Sequence, residues 1–267
     1  MPDQPDTIVL IHGMWMTPLS WERWIGRYTS RGYRVIAPAW PGMEGEVEEL
    51  RRDPSPIARL RAADVVHHYE RIVRELERPP IVMGHSIGGT FAQILLDRGL
   101  GAAGVGIHPA PPKGILRLPL PALRTGLSLL GNLARDQKAL RMTAGQFHYA
   151  FANTLSEEES AEAYERYCVP AARQVLLEGA LANVDPRSVL RVDYGKRDRA
   201  PLLLIAGGKD HTIPASLTRA TARRYGRSNA SVAYKEFPDR SHYTLGQDGW
   251  EEVADYALAW AQTAVGG

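Results

Sequence analysis

The chain has 267 residues, of which 44% are hydrophobic and 23% charged, a composition typical of a soluble globular protein. Its 32 basic and 30 acidic residues nearly cancel and are spread along the chain, so neither nucleic acid nor an anionic membrane is expected as a partner. The lone cysteine, Cys168, cannot form an internal disulfide. The N-terminus lacks a signal-peptide pattern, and no apolar stretch is long enough for a membrane span. A cytoplasmic protein without a membrane span is therefore expected.

Short apolar runs alternate with longer helical patterns along the chain. This alternation predicts an α/β fold with a mostly parallel central sheet that carries helices on both faces. The predicted strands are 7–12, 33–39, 80–85, 102–108, 201–207 and 231–237. The predicted helices are 20–30, 56–77, 90–98, 217–225 and 250–263.

The regular spacing breaks between the fourth and fifth strands, where more than 90 residues intervene. This segment begins Pro-rich and apolar, and its later part contains a capping pattern in which Glu159 follows Ser156 by three positions. We expect a mainly helical cap over 113–200, inserted into a core formed by 1–112 and 201–267.

The third strand ends in Gly84-His85-Ser86-Ile87-Gly88-Gly89 and is followed at once by a helical pattern. This is the G-x-S-x-G pattern in the strand–turn–helix setting that it requires. The turn is so tight that Gly84 and Gly88 must lack side chains, and it lifts the serine hydroxyl to a helix N-terminus. Ser86 is therefore the candidate nucleophile.

A serine hydroxyl needs a base, and His242 is the best placed of the eight histidines. It lies in the loop after the last strand, which overhangs the carboxyl edge of the sheet. Of the others, His12 and His85 each end a strand next to a glycine, where a structural hydrogen bond is the simpler interpretation, and His108 ends a strand.

The supporting carboxylate should also follow a strand, and Asp210 in GGKDHTIP comes directly after the fifth. No acidic residue follows the fourth strand, so that alternative position is empty. Asp239, three residues before His242, is the one competitor, and a carboxylate so close in sequence more often caps a turn. Asp210 would hold the imidazole tautomer and stabilise the imidazolium.

An oxyanion formed at the serine needs backbone donors. The N–H of Ile87, which follows the nucleophile, is one candidate. The loop after the first strand reads His-Gly-Met-Trp, where Gly13 permits close approach and the N–H of Met14 is the second candidate.

The order Ser86, Asp210, His242, together with GHSIGG, LIHGMW, the GGKDHTIP turn and an insertion before that turn, resembles the α/β-hydrolase fold superfamily, in particular its serine esterases and lipases with a helical cap. The resemblance covers essentially the whole chain. It implies a Ser86–His242–Asp210 triad and an oxyanion hole at Met14 and Ile87. No cofactor is expected, because the sequence lacks the residue patterns for one. Many members carry an antiparallel hairpin before the first of these strands, whereas six residues precede it here, so a shorter sheet edge is expected.

The nucleophile type favours cleavage of a carboxylic ester, thioester or lactone through an acyl-enzyme. A small, hydrophobic ester-like substrate is expected, with Trp15, His85, Phe147 and Phe151 as candidate contacts, although the aromatic rings could equally fill the core. No zinc or P-loop pattern is present. A homodimer stays open, as do a cofactor-free perhydrolase, a lyase, an acyltransferase and a slow-turnover ligand receptor on the same fold.

Overall fold

The computed structural model describes residues 5–117, 119–133, 139–226 and 231–266, and the side chains of 130–133 are left out of the description. Its centre is a six-stranded sheet in the order β2-β1-β3-β4-β5-β6, in which every neighbouring pair is parallel. The strands are β1 Thr7–Ile11, β2 Arg34–Ile36, β3 Ile81–His85, β4 Ala103–Ile107, β5 Leu202–Gly207 and β6 Val232–Phe237. All six predicted strands are present. β2 is shorter than expected because it is an edge strand, exposed or half-buried along its length.

Strand periodicity divides the core into two apolar layers. Successive side chains of a strand point to opposite faces, so Ile8 and Leu10 enter one layer while Val9 and Ile11 enter the other. β1, β3, β4 and β5 are buried at every residue, which explains their continuous apolar sequence. The sheet is therefore covered on both faces, as the sequence predicts.

Ten α-helices lie within the described residues. They are α1 Glu22–Thr29, α2 Val47–Arg52, α3 Ala62–Arg74, α4 Ile87–Asp97, α5 Leu120–Leu133, α6 Ala144–Ala150, α7 Glu157–Tyr167, α8 Arg173–Leu181, α9 Ala215–Tyr225 and α10 Trp250–Gly266. The predicted helix 56–77 is wrong in its first turns, because Ser55–Ile57 form a separate 3-10 turn. The short α2 was not predicted; Glu46 and Glu49 cap it reciprocally. Among the described residues, no helix combines the length and apolar composition needed to cross a bilayer.

The four helices α5–α8 occupy the long interval between β4 and β5. Residues 118 and 134–138 of the predicted insertion lie outside the described residues. The predicted cap of α7 is present: Ser156 Oγ accepts the Glu159 N–H at 3.2 Å, and the Glu159 carboxylate accepts the Ser156 N–H at 2.9 Å.

The inserted helices contact loops that follow strands of the sheet. The Val169 N–H donates to the Trp15 carbonyl at 3.0 Å, after β1. The Thr212 hydroxyl donates to the Ala150 carbonyl at 2.7 Å, after β5. The Tyr243 N–H donates to the Phe151 carbonyl at 2.8 Å, after β6. The insertion therefore lies over the carboxyl edge of the sheet, where the predicted site residues are found.

Candidate active site

Three loops bring Ser86, Asp210 and His242 to this edge. Ser86 follows β3, Asp210 follows β5 and His242 follows β6, and the carboxyl ends of parallel strands share one side of a sheet. His242 Nδ1 lies 2.7 Å from Asp210 Oδ2, and both side chains are fully buried. The exposed Asp239 takes no part in this contact, so the geometry pairs His242 with Asp210.

The turn at Ser86 is built from glycines because no side chain fits there. A Cβ on Gly84 would lie 2.1 Å from the Gly88 carbonyl oxygen, and one on Gly88 would lie 2.3 Å from the Ile11 carbonyl oxygen. Ser86 itself has φ 56° and ψ −126° and immediately precedes α4. This strained backbone places the serine at the N-terminus of a buried helix, where partial positive charge favours an anion.

The Asp210 carboxylate receives four hydrogen bonds. Oδ2 accepts from His242 Nδ1 at 2.7 Å and from His108 Nδ1 at 2.9 Å. Oδ1 accepts from the backbone N–H groups of Thr212 at 2.8 Å and Ile213 at 2.7 Å. Burial alone would raise the Asp210 pKa, but the two imidazoles together hold it well below its usual value. Asp210 is therefore ionised at neutral pH.

The hydrogen bond from His108 to Asp210 was not predicted from the sequence. The fourth strand is followed by no acid, and the position at its end holds a histidine that donates to the acid of the next strand. Burial lowers the His108 pKa even though Asp210 opposes the shift, so the neutral ring donates through Nδ1. Its position at a strand end beside the candidate acid's strand was the available signal.

Among the described residues, one group has the composition of a metal site, formed by His108, Asp210 and His242. Their potential ligand atoms all lie within 4.8 Å of one another. The two Nδ1–Oδ2 distances of 2.7 and 2.9 Å are hydrogen-bond distances. Hydrogen bonds between the two imidazoles and the carboxylate are therefore sufficient to account for this cluster.

The other nitrogen of His242 is available for chemistry. Since Nδ1 donates its proton to Asp210, Nε2 carries the lone pair in the neutral ring. Nε2 is buried and makes no hydrogen bond to any described residue, Ser86 included. The Phe151 ring meets the imidazole edge-on at 4.7 Å. The arrangement presents a desolvated base close to the serine turn.

The loop after β1 lies against the serine. A Cβ on Gly13 would approach the Ser86 Cβ to 2.8 Å, so only glycine lets this loop come so close. His12 fixes the loop: its Nδ1 donates to the Gly13 carbonyl at 2.9 Å and its Nε2 accepts the Trp40 N–H at 3.2 Å. Burial lowers the His12 pKa to about 4. Met14 and Ile87, whose N–H groups were predicted as oxyanion donors, are buried and follow Gly13 and Ser86 directly in sequence.

Three of the four predicted substrate contacts form an aromatic wall. Trp15 packs edge-on against Phe151 at 6.2 Å, and Phe147 stacks on Phe151 at 5.3 Å. The Trp15 indole N–H donates to the Leu140 carbonyl at 3.0 Å. The fourth, His85, is placed differently: its Nε2 lies 2.9 Å from the His242 carbonyl oxygen, so this ring supports the His242 loop from below. Substrate contact by these residues stays a prediction.

The sequence profile of the alpha/beta hydrolase family matches residues 8–256, and the chain belongs to that family. None of the curated proteins matches it significantly in sequence.

Solved structures with the same fold cover nearly the whole chain. An extracellular alpha/beta-hydrolase from a Paenibacillus species is 17% identical, with a TM-score of 0.71 over 96% of this chain and 99% of that one. A pyrethroid hydrolase from Sphingobium faniae JZ-2 is 17% identical, with a TM-score of 0.67 over 97% and 98%. A monoacylglycerol lipase from Paleococcus ferrophilus is 18% identical, with a TM-score of 0.65 over 98% and 96%. At these identities the likeness concerns the fold.

Proposed function

We propose that the protein is a serine hydrolase that cleaves a carboxylic ester, thioester or lactone through an acyl-enzyme. The observation that carries the proposal is the buried Asp210–His242 hydrogen bond of 2.7 Å, which leaves His242 Nε2 unpartnered beside the Ser86 turn. Esterases, lipases and hydrolases among the fold relatives are consistent with it.

In this mechanism His242 Nε2 accepts the Ser86 hydroxyl proton as Oγ attacks the substrate carbonyl. This transfer requires Oγ and Nε2 to meet, and such catalytic contacts commonly tighten only when substrate is bound. Asp210 stabilises the imidazolium without taking its proton. The N–H groups of Ile87 and Met14 bind the oxyanion, and His242 then protonates the leaving alcohol.

The second half of the reaction repeats these roles with water. His242 removes a proton from a water molecule that attacks the acyl carbonyl, and the collapsing intermediate returns the proton to Ser86 Oγ. The acid is released and the free serine is restored. No cofactor or metal takes part in either half.

The substrate is proposed to be a small hydrophobic ester held against Trp15, Phe147 and Phe151. Residues 113–200 act as a cap that closes the site, since Ser86 is 8% exposed and His242 is fully buried. Two fold relatives are described as a pyrethroid hydrolase and a monoacylglycerol lipase, descriptions that are consistent with this proposal.

The test is hydrolysis of p-nitrophenyl esters, from acetyl to palmitoyl, by the wild type and by Ser86→Ala. We expect Ser86→Ala to lose at least about 10⁴-fold in kcat with an unchanged circular dichroism spectrum and melting temperature. Ser30→Ala, at an exposed serine that ends α1, is the matched control and should keep full activity.

Retained activity in pure Ser86→Ala would remove the serine mechanism. A wild type that turns over none of these esters, yet halogenates in the presence of peroxide and a carboxylic acid or cleaves a cyanohydrin, would assign the site to the non-hydrolytic reactions. Tight product binding with very slow turnover would instead identify a receptor.

A further inference from the structure

The helix α5 presents leucines to solvent on one face. Leu120 is 76% exposed, Leu123 36% and Leu127 59%, and Leu116, shortly before the helix, is 83% exposed. The spacing of three and four residues places the three helical leucines on one side at 3.6 residues per turn. Together with Leu116 they form what we call the leucine face. Soluble proteins rarely expose several large apolar side chains side by side. Where they do, the cluster marks a contact surface.

The opposite side of α5 is already occupied by the protein. Thr125 and Leu129 are buried, and the Thr125 hydroxyl donates to the carbonyl of His211, the neighbour of Asp210, at 3.2 Å. The helix is therefore packed against the protein on the side opposite its exposed leucines. One side packs over the loop that carries Asp210, and the leucine face is left to a partner.

The sequence segment that carries the leucine face has charges of one sign. Residues 98–135 contain five basic residues and no acidic residue. Two of these, Arg117 and Arg124, are exposed and flank the leucines. Arg124 lies 4.4 Å over the Tyr149 ring, which holds its guanidinium beside the helix. The balanced charge of the whole chain, from which no anionic partner is expected, conceals this local excess.

We propose that the leucine face is a docking surface for an anionic lipid interface. Leucines that enter the acyl boundary, with arginines at the level of the headgroups, are the arrangement of a helix that lies in a membrane surface. A second copy of this chain fits less well, because a two-fold pairing of this face would bring Arg117 and Arg124 of both copies together, and residues 98–135 supply no acidic partner for them. The surface is independent of the proposed ester hydrolysis.

The test is sedimentation of the full chain with vesicles of phosphatidylcholine, with and without phosphatidylglycerol. The wild type should sediment with the anionic vesicles and be released by high salt. Leu120→Ser/Leu127→Ser should weaken binding at least about tenfold, since each leucine loses its buried area. Arg117→Gln/Arg124→Gln should weaken binding to anionic vesicles by about fivefold per residue, corresponding to about 1 kcal/mol each.

Tyr256→Ser is the control, because this side chain is 36% exposed on α10, outside the segment that carries the leucine face. It should bind as the wild type does, and melting temperatures check that every variant is folded. Absence of wild-type sedimentation, equal binding to neutral vesicles, or unchanged binding by the leucine variant would overturn the proposal. So would a dimer in solution that the leucine variant dissociates, which would assign the face to a second copy. Binding needs no turnover, so the result is separate from that of the ester assay.

Discussion

At the scale of single residues, the Asp210 carboxylate is surrounded by hydrogen-bond donors. One oxygen faces two imidazole donors and the other faces two backbone N–H groups. A carboxylate that accepts this many hydrogen bonds stays charged despite complete burial. Its orientation toward His242 is fixed as well, because rotation would break all four bonds together.

We predict that His108 is a positioning residue that acts through Asp210. His108→Leu removes one donor to the charged group and should lower kcat by about tenfold to 100-fold. His108→Asn should retain most activity, because an amide N–H can replace Nδ1–H and asparagine tolerates the positive φ of 47° found at this position. The measurement is kcat/KM across pH for both variants beside the wild type.

The conservative variant separates the hydrogen bond from packing. If His108→Asn and His108→Leu lose activity equally and melt at a lower temperature, the ring serves the core rather than the carboxylate. If neither variant differs from the wild type, the bond to Asp210 has no functional weight.

At the scale of secondary structure elements, backbone strain is concentrated where strands end at the site. Trp15, Ser86 and His108 have φ of 61°, 56° and 47°, and they are the described non-glycine residues with positive φ. They follow β1, β3 and β4 respectively. Such conformations cost roughly 1–3 kcal/mol each and persist only where surrounding contacts hold them. Their position argues that the strand ends are shaped for the site rather than for stability.

Arg51 of α2 makes a further contact between the core and the inserted helices. Its guanidinium donates to three carbonyls at the end of α7: Tyr164 at 2.7 Å, Glu165 at 2.9 Å and Cys168 at 2.9 Å. The end of a helix leaves its last carbonyls without intrahelical partners. The Tyr164 carbonyl also accepts the Cys168 N–H at 2.9 Å, and the guanidinium adds to that bond. The planar guanidinium presents its N–H groups to these carbonyls in fixed directions, whereas the ammonium of a lysine is a compact charge on a flexible stem.

Arg51→Lys is therefore expected to destabilise the protein by about 1–3 kcal/mol and to speed hydrogen exchange in the last turn of α7. Arg52→Lys, at the exposed neighbouring position, is the control and should change neither quantity. Equal exchange in the two variants would show that α7 is held by its other contacts.

At the scale of the whole molecule, buried neutral histidines make stability depend on pH. Burial lowers the pKa of His12 to about 4 and also lowers those of His85 and His108. An unfolded histidine has a pKa of about 6.5. Below that pH the unfolded chain binds protons at these histidines that the folded chain does not, so stability falls as pH falls. The pKa of Asp210 is lowered from 3.8, so the stability that this charged carboxylate contributes is lost only when the pH falls below about 3.8.

The free energy of unfolding in urea should therefore decrease from pH 7 to pH 5, by up to about 1.4 kcal/mol per pH unit for each such histidine. His12→Asn should flatten this dependence by the share of one group. His67→Asn, on the exposed side of α3, should leave it as in the wild type. A free energy of unfolding that stays level down to pH 5 would contradict the burial argument.

The sequence by itself determined the parts of this protein that depend on neighbouring residues. Strand periodicity, the glycines around Ser86 and the Ser156 cap are all short-range patterns, and each predicted its element correctly. Asp210 and His242 could also be placed, because parallel strands end at one edge of the sheet and few polar residues occupy the loops there.

Only the tertiary structure decided which distant groups meet. The bond from His108 to Asp210 joins residues 102 apart, and that from Trp15 to Leu140 joins residues 125 apart. The exposure of the leucine face is of the same kind, since the apolar pattern of α5 is compatible with burial on either side. No local pattern encodes these outcomes, because they depend on how the loops and inserted helices pack over the sheet edge, and that packing is fixed by the fold as a whole.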